Sequence, residues 1–388
     1  MGDVVIIDAV RTPLGRGNQK NGDLRHVHPL KLAAHVLREV VGRAGVDPAM
    51  VEDVVMGCVS QTGEQSINVA RQAVLLAGFP VEVAATTVDR QCGSSQQAVH
   101  FAANLIQAGA CDVTIAAGVE SMSRVPMGST VLQGPGTPFP PELLELYDLV
   151  NQGLAAEMIA AQWGITREQA DAFASCSQRR AAAAQAAGHF DREIAPIVVG
   201  ENGESQVVSQ DQGIRPGTTV ETLAQLQPSF RPDGILHAGN SSQITDGAAA
   251  VLLMSRQRAT ELGLTPRATI RAQAAVGVDP VTMLTGPIPA TKRVLDRSGL
   301  TIDDIDLFEV NEAFAPVVLA WEKEHHPDME RVNVNGGAIA LGHPLGASGA
   351  RLMITLLHEL ERRNARIGLE TMCCGGGLGT ATIIDRDV

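Results

Sequence analysis

Short apolar strand patterns alternate with helical patterns at both ends of this chain, and this alternation limits the fold more than any other feature. In the N-terminal part, the patterns predict strands at residues 4–10, 51–58, 86–88 and 113–118, and helices at 30–44, 68–78 and about 96–107. Buried strands that alternate with helices are typical of a parallel or mixed sheet covered by helices on both faces. The sequence therefore predicts an α/β fold.

A similar order of elements returns in the C-terminal part. We expect strands at 247–255, near Thr269 and at 307–310, helices at 290–298, after Asn311 and at 350–360, and a final strand pair around Cys373. We interpret this order as a weak internal duplication, with two similar halves that meet face to face. Ligand sites often form where such halves meet.

The segment from about Glu120 to Gly239 differs from both halves. It contains Pro/Gly-rich stretches such as residues 133–138, and one long Ala-rich helix that Gly188 ends. Thr166 and Gln169 have the spacing of a capping box at the start of this helix. We expect an insertion domain here, not another layer of the sheet.

Composition and charge exclude several classes of function. Only 3% of the 388 residues are aromatic and the net charge is −13, so neither a base-stacking surface nor a basic patch for nucleic acid is expected. The N-terminus lacks the pattern of a signal peptide, and no apolar stretch is long enough to span a membrane. Six cysteines, mostly in apolar runs, do not resemble a disulfide framework, which favours a reducing, cytoplasmic setting.

Cys92 is the first candidate for chemistry, because it lies between a short predicted strand and a predicted helix. The positive end of a helix dipole and free backbone N–H groups stabilise a thiolate, so this position predicts a lowered thiol pKa and a nucleophile. A core cysteine that happens to precede a helix is the alternative.

His343 lies in a turn rich in glycine, where Pro344 restricts the backbone. In such a turn an imidazole can take a proton from a thiol or donate a hydrogen bond to a developing oxyanion. The alternative is a turn histidine that bonds to a neighbouring carbonyl.

Two further motifs carry weaker signals. Cys373 and Cys374 precede three glycines whose N–H groups could face a ligand oxygen, although a tight β-bend with two packed thiols has the same pattern. Only one of two adjacent strand residues can face a given pocket, and no CxxC spacing indicates zinc. Taken alone, Asn311 is best explained as the N-cap of the following helix.

Together these motifs resemble those of the thiolase family over essentially the whole chain. They are Cys-Gly-Ser-Ser at Cys92, Gly-Asn-Ser-Ser at Gly239 with Asp-Gly-Ala-Ala at Asp246, Asn-Glu-Ala-Phe at Asn311, Gly-His-Pro-Leu-Gly-Ala-Ser-Gly at Gly342, and Cys-Cys-Gly-Gly-Gly at Cys373. The segment 7–13 is similar to the family's start. One Cys-Gly pair is common, but five motifs in the family's order are specific.

The resemblance implies an acyltransferase that cleaves 3-ketoacyl-CoA with free coenzyme A (CoA) in a ping-pong cycle. Cys92 would be acylated, and His343 would activate it. His343 would also bind the thioester oxygen of the leaving enolate, with a water held by Asn311. Cys373 would protonate the acetyl-CoA carbanion. The N–H groups of Cys92 and Gly375 would form a second oxyanion hole.

For CoA binding, the family pattern points to Ser242 near the pantetheine and Arg215 near the nucleotide, with Ala313, Phe314 and Gly346 along the tunnel. An exposed loop arginine is an equal alternative for Arg215. The resemblance implies CoA as co-substrate, no permanently bound cofactor and no metal.

Two positions need a choice within the family pattern. Cys373 is preferred to Cys374 as the acid/base thiol, because the family's cysteine stands two residues before the first constant glycine. Gln152 stands beside the expected acyl pocket, where many thiolases carry Met. Loss of that Met favours a degradative 3-ketoacyl-CoA thiolase of fatty-acid or related β-oxidation, with a biosynthetic acetoacetyl-CoA thiolase as the alternative.

The fold that the resemblance implies is a five-layer α-β-α-β-α sandwich of two duplicated halves. Residues 1–119 with 247–268 would form the first half, 269–388 the second, and 120–246 an insertion (loop) domain covering CoA. A homodimer or homotetramer, and a hydratase/dehydrogenase partner, are assemblies compatible with it. The rival functions are a decarboxylating ketoacyl synthase, which lacks the last cysteine motif, and a non-catalytic lipid carrier, which is expected to lack the nucleophile.

Overall fold

The computed structural model describes residues 3–132, 134–201 and 204–387, so residue 133 of the Pro/Gly-rich stretch lies outside the described part. The β-strands are β1 Val4–Arg11, β2 Gly15–Arg16, β3 Asp53–Gly57, β4 Ala84–Val88, β5 Val113–Ser121, β6 Ile197–Glu201, β7 Glu204–Val208, β8 Thr245–Ser255, β9 Ala268–Gly277, β10 Leu307–Val310, β11 Ile367–Cys374 and β12 Leu378–Asp385. The α-helices are α1 Pro29–Ala44, α2 Val69–Ala77, α3 Ser94–Gln107, α4 Ser129–Leu132, α5 Pro141–Leu146, α6 Gln152–Gln162, α7 Arg167–Ala186, α8 Val220–Ala224, α9 Arg256–Glu261, α10 Pro287–Ser298, α11 Ala315–His325 and α12 Ser348–Arg363.

The two halves of the large sheet have the same strand order. The N-terminal half runs β4-β3-β5-β8-β1, and the C-terminal half runs from a bridge at Val332 through β10-β11-β12 to β9. In each half the first two pairings are parallel and the next two are antiparallel. The first strands of the halves, β1 and β9, pair edge to edge for two residues. The predicted duplication is therefore visible in the topology.

Helices cover the two half-sheets in three layers. The outer helices α1 and α2 bury side chains such as Leu37 and Val74 against the N-terminal half. The helices α3 and α12 share one core between the two half-sheets. On the far side, α10 and α11 bury Val294 and Trp321 against the C-terminal half. These layers give the α-β-α-β-α order, because each apolar sheet face must be covered.

The insertion lies between β5 and β8 and contains helices α4 to α8 and the hairpin β6–β7. Its longest helix, α7, begins with the predicted capping box of Thr166 and Gln169, and Gly188 follows it with φ of 71°. Because β5 continues to Ser121 and β8 begins at Thr245, the first and last residues of the segment 120–246 belong to the sheet.

A buried ion cluster joins the insertion to the core. Arg11 at the end of β1 is fully buried and donates to Glu193 at 2.7 Å and to Asp211 at 2.7 and 2.9 Å. Both carboxylates belong to the insertion. Buried charges require such pairing, so these contacts hold the insertion to the end of β1.

Candidate active site

The N-termini of the two central helices meet, and each follows one predicted catalytic residue. The helix α3 begins shortly after Cys92, and α12 begins shortly after His343. The Ala350 N–H donates to the Ser95 hydroxyl oxygen at 2.9 Å, which ties the first turns of the helices together. Because α3 and α12 hold equivalent places in the two halves, the duplication brings together the helix starts that follow the two predicted residues.

The Cys92 thiol is only 3% exposed and lies among backbone donors. The backbone N–H groups of Gly375 and of Cys92 itself face the thiol and favour its charged form. Burial nevertheless raises the pKa of Cys92 to about 12, and the charges of Glu120 and Asp89 act in the same direction. The lowered pKa predicted from the sequence is therefore wrong, because removal of the thiol from water outweighs the helix terminus.

The hydrogen bonds of His343 define its tautomer. The Ser348 hydroxyl donates its single proton to the Pro344 carbonyl at 2.9 Å, so the 2.6 Å contact between Ser348 Oγ and His343 Nδ1 must have Nδ1–H as its donor. The lone pair is then on Nε2. Burial and the positive charge of Arg351 lower the pKa of His343 to about 3. The imidazole is neutral at physiological pH, with Nε2 able to accept a proton.

Asn311 lies beside this imidazole, with its Nδ2 atom 3.4 Å from His343 Nε2. Its interpretation as a helix N-cap is wrong, because α11 begins only at Ala315 with Phe314 at the N-cap. Instead, the Asn311 N–H donates to the Thr371 carbonyl at 3.0 Å and continues the pairing of β10. Within the described residues, Asn311 Oδ1 is buried without a hydrogen-bond partner. Such an oxygen can accept from a substrate or a water.

The turn between β11 and β12 brings two more thiols to the nucleophile. Cys373 packs in an apolar cluster with Phe314, and burial, with added effects of Cys92 and Cys374, raises its pKa well above the usual range. Cys374 packs in a different cluster with Cys92, and a Cβ on Gly93 would stand 2.5 Å from its sulfur. Burial raises the pKa of Cys374 to about 12. The two adjacent thiols thus have different neighbours, as strand alternation requires.

The three glycines after these thiols form the turn itself. Gly376 and Gly377 both have φ of 81°, which favours glycine, and this bend directs the Gly375 N–H to the Cys92 thiol. Gln152 lies beside the turn, since a Cβ atom on Gly375 would stand 2.9 Å from Gln152 Nε2. Gln152, the residue predicted beside the acyl pocket, therefore lies at the glycine turn that follows Cys373.

Three of the predicted CoA contacts lie together. The Ser242 N–H donates to the Ala313 carbonyl at 2.9 Å, and the neighbouring Ser241 forms a β-bridge with Phe314. The Phe314 ring contacts the Phe230 ring edge to face at 5.8 Å between centroids. This group forms a partly apolar wall next to Cys373.

The two other predicted CoA contacts, Gly346 and Arg215, do not belong to this wall. Gly346 is buried, and a Cβ on it would stand 2.6 Å from the Val119 carbonyl oxygen, so its place in the structure is one of close backbone packing. Arg215 is exposed, and its N–H donates to the Gln178 side-chain oxygen at 2.7 Å. It therefore lies at the outside of the site.

The sequence motifs did not indicate Glu120, whose hydrogen bonds join two loops of the candidate site. This buried carboxylate in β5 accepts N–H groups of Val59 at 3.0 Å, Ser60 at 3.1 Å and Gly346 at 2.9 Å. It connects the loop after β3 to the turn that carries His343. A carboxylate inside an otherwise apolar strand is the sequence signal that could have indicated it.

Two negative observations apply to the part of the chain that the structure describes. It contains no group of three or more His, Cys, Asp or Glu side chains arranged to hold a metal ion. None of its helices has the length and apolar character needed to cross a membrane.

Known proteins resemble this chain over essentially its whole length. Residues 4–257 match the family model "Thiolase, N-terminal domain", and residues 264–386 match "Thiolase, C-terminal domain". A 3-ketoacyl-CoA thiolase of Aeromonas hydrophila is 49% identical over 394 residues, with complete coverage of both chains. The steroid 3-ketoacyl-CoA thiolase FadA6 of Mycobacterium tuberculosis is 48% identical over all of this chain and 95% of that protein. The solved acetyl-CoA acetyltransferase of Bacillus anthracis superposes with a TM-score of 0.91 at 41% identity, covering 99% of each chain.

Proposed function

Because the chain belongs to the thiolase family, we propose that it is a degradative 3-ketoacyl-CoA thiolase. It cleaves 3-ketoacyl-CoA with free CoA and releases acetyl-CoA and a shortened acyl-CoA. Full-length relatives at 48–49% identity that are 3-ketoacyl-CoA thiolases support this direction over acetoacetyl-CoA synthesis.

In the first half-reaction, the Cys92 sulfur attacks the keto carbon while His343 Nε2 takes the thiol proton. The N–H groups of Cys92 and Gly375 stabilise the resulting oxyanion. Collapse breaks the carbon–carbon bond and leaves the acyl group on Cys92. His343, with a water held by Asn311, stabilises the enolate of acetyl-CoA, and Cys373 donates a proton to its carbon.

In the second half-reaction, CoA enters as a thiol and returns a proton to Cys373. The CoA sulfur attacks the acyl-Cys92 thioester, and the same two N–H groups stabilise the tetrahedral oxyanion. The Cys92 sulfur leaves and takes the proton back from His343. The enzyme is then in its starting state, as a ping-pong cycle requires.

One observation carries this proposal: the turn that bears Cys373 brings the Gly375 N–H close enough to the Cys92 thiol to favour its charged form. The proposed acid and an oxyanion donor, both from the C-terminal half, therefore meet the proposed nucleophile, which comes from the N-terminal half. A non-catalytic carrier would not need this arrangement, and a decarboxylating synthase would not need Cys373.

The test is CoA-dependent cleavage by purified wild-type protein across 3-ketoacyl-CoA esters, from acetoacetyl-CoA to long straight, branched and sterol-derived chains. We expect cleavage of chains longer than acetoacetyl-CoA, and loss of activity by a factor of about 10⁴ or more in Cys92→Ser, because the hydroxyl is a far weaker nucleophile. The matched control is Cys111→Ser, which changes a free cysteine outside the site. Strict preference for acetoacetyl-CoA, or full activity of Cys92→Ser, would contradict the proposal.

The setting of the enzyme is part of the same proposal. We infer a cytoplasmic homo-oligomer that uses CoA as co-substrate and has no bound cofactor or metal. The cytoplasmic setting is supported by the free state of all six cysteines, which fits a reducing compartment. Its substrate is the product of a 3-hydroxyacyl-CoA dehydrogenation, so a hydratase/dehydrogenase is the partner that this chemistry requires upstream. The CoA-contact roles of Ser242, Ala313, Phe314 and Gly346 belong to this proposal as well.

A further inference from the structure

Arg16 and Arg215 lie at the ends of two chain segments, residues 14–16 and 211–215, that hydrogen-bond to each other. The Gln212 N–H donates to the Leu14 carbonyl at 2.9 Å, and the Arg16 N–H donates to the Gln212 side-chain oxygen at 2.9 Å. The carboxylate of Asp211, the residue before Gln212, accepts the Leu14 N–H at 2.8 Å. This scaffold holds Arg16 next to the segment that continues to Arg215.

Neither guanidinium has a carboxylate partner within the described residues. The Nε atom of Arg16 is buried and forms no hydrogen bond there. Arg215 is exposed as a whole, yet partial burial of its guanidinium and the positive charge of Arg16 lower its pKa. In a chain with 43 acidic residues and a net charge of −13, a cationic pair left without a carboxylate indicates a site for an anion.

The pair lies on segments anchored to the backbone of the catalytic histidine. Arg16 pairs in register with Thr245, whose hydroxyl oxygen accepts the His343 N–H at 3.0 Å. On the other segment, the Gly213 carbonyl accepts from the Gln243 side chain at 3.0 Å, and the Gln243 main-chain carbonyl accepts the same His343 N–H at 3.1 Å. Each of the two segments is therefore linked to the His343 N–H through one residue of the stretch 243–245.

From this placement we propose that Arg16 joins Arg215 to bind the phosphate groups of the CoA nucleotide. The proposal rests on the proposed function, since the anion is the distal end of the same CoA whose thiol reaches Cys92. A guanidinium suits this ligand because its planar N–H groups match phosphate oxygens in pairs and keep their charge at any physiological pH. The shared chemistry is a phosphate, from either the 3′-phosphate or the diphosphate of CoA.

The test shortens the substrate from its charged end. Wild type, Arg16→Gln and Arg215→Gln are compared on three matched pairs of ketoacyl donor and thiol acceptor, built on CoA, on dephospho-CoA and on pantetheine. We expect each variant to raise KM on the CoA pair about tenfold or more, with kcat within about twofold, because a charge-assisted contact made equally in ground and transition states is lost. On the pantetheine pair, which has no phosphate, the three proteins should have equal kcat/KM.

The intermediate substrate distinguishes the two phosphates. If the loss disappears with dephospho-CoA, the 3′-phosphate is the ligand, and if it persists, the diphosphate is; both results support the pair as an anion site. Lys20→Gln is the control, because it removes one positive charge from the same loop at an exposed position. An unchanged KM for CoA in Arg16→Gln, or an equal loss on pantetheine or in Lys20→Gln, would overturn the proposal.

Calorimetric titration of CoA separates this inference from the proposed function. A wild type that cleaves none of the three pairs contradicts the enzyme assignment. If it still binds CoA about tenfold or more tightly than Arg16→Gln does, the arginine pair stands without catalysis. Equal affinity of the two proteins would reject the pair whatever the activity.

Discussion

At the scale of single residues, burial has the largest effect on the protonation of Cys92 and His343, the proposed nucleophile and base. It raises the pKa of Cys92 to about 12 and lowers that of His343 to about 3, so both groups are neutral at physiological pH. These shifts favour a neutral thiol and a neutral imidazole over a thiolate–imidazolium pair in the resting enzyme. We infer that the proton moves from Cys92 to His343 as the sulfur attacks, when the charge that develops on oxygen meets the N–H of Gly375.

The first prediction follows from these opposite pKa shifts. Alkylation of Cys92 by iodoacetamide should speed up about tenfold per pH unit from pH 6 to pH 9 without a plateau, because the thiolate fraction rises until the raised pKa is reached. Peptide mapping by mass spectrometry measures the rate at this residue, with Cys111 as an internal reference. A rate that is already constant from about pH 6 would indicate a preformed thiolate and contradict the neutral pair.

The second prediction separates the adjacent thiols. Cys373→Ala should lower thiolysis by a factor of about 10²–10⁴, the usual contribution of general acid–base catalysis, whereas Cys374→Ala should stay within about tenfold. The reason is that Cys373 lies in the same cluster as Phe314, on the wall predicted to bind CoA, while Cys374 packs against Gly93 in a separate cluster.

Acyl exchange between an acyl-CoA and labelled CoA tests the role of Cys373 further. This exchange uses Cys92 and His343 but breaks no carbon–carbon bond. It should therefore continue in Cys373→Ala while thiolysis is lost. Loss of both activities in this variant, or loss of thiolysis only in Cys374→Ala, would assign the acid/base role differently.

At the scale of elements, sequence patterns predicted those features that depend on residues only a few positions apart. The strand at 307–310 and the capping box of α7 follow from apolar runs and hydrogen-bonding side chains a few residues apart. The contacts of Glu120 with Gly346, and of Arg11 with Asp211, join residues far apart in the chain. No local pattern contains such contacts, so the sequence predicted candidate catalytic residues but not the groups that hold them.

The third prediction concerns the junction between β1 and the insertion. Arg11→Met should lower the free energy of unfolding by about 3–5 kcal/mol, because Glu193 and Asp211 would remain buried without their cation. Urea denaturation followed by circular dichroism measures the change. Arg192→Ala is the control: this arginine pairs with Glu361 but is 72% exposed, so a change within about 0.5 kcal/mol is expected. Equal losses in the two variants would mean that the buried cluster has no special role.

At the scale of the whole molecule, the two duplicated halves contribute different residues to the candidate site. In the first half, the connection from β5 to β8 carries the insertion, whereas the equivalent connection from β11 to β12 is the short glycine turn. The first half supplies Cys92 at the start of α3, and the second supplies His343, Asn311 and the Cys373 turn. Because α3 and α12 pack together, movement of one half against the other would separate nucleophile and base.

The last prediction concerns the outer edges of the sheet, which the two halves treat differently. Beyond β10 the chain forms a bridge at Val332, but β4 pairs only with β3 in the part of the chain that the structure describes. Exposed apolar side chains flank this open edge, among them Ile67 at 85% and Val81 at 67% exposure. An unprotected edge strand beside apolar surface favours pairing with another chain, so we expect a homodimer through β4.

Light scattering coupled to size-exclusion chromatography should give at least twice the mass of one chain at micromolar concentration. The double variant Ile67→Asp with Val81→Asp should shift the protein toward monomer, because a carboxylate buried in an interface without a partner is costly. Leu146→Asp changes an equally exposed leucine, at 74%, on the insertion and should keep the β4 dimer. A monomeric wild type, or dissociation to monomer by Leu146→Asp alone, would show that β4 does not form the interface.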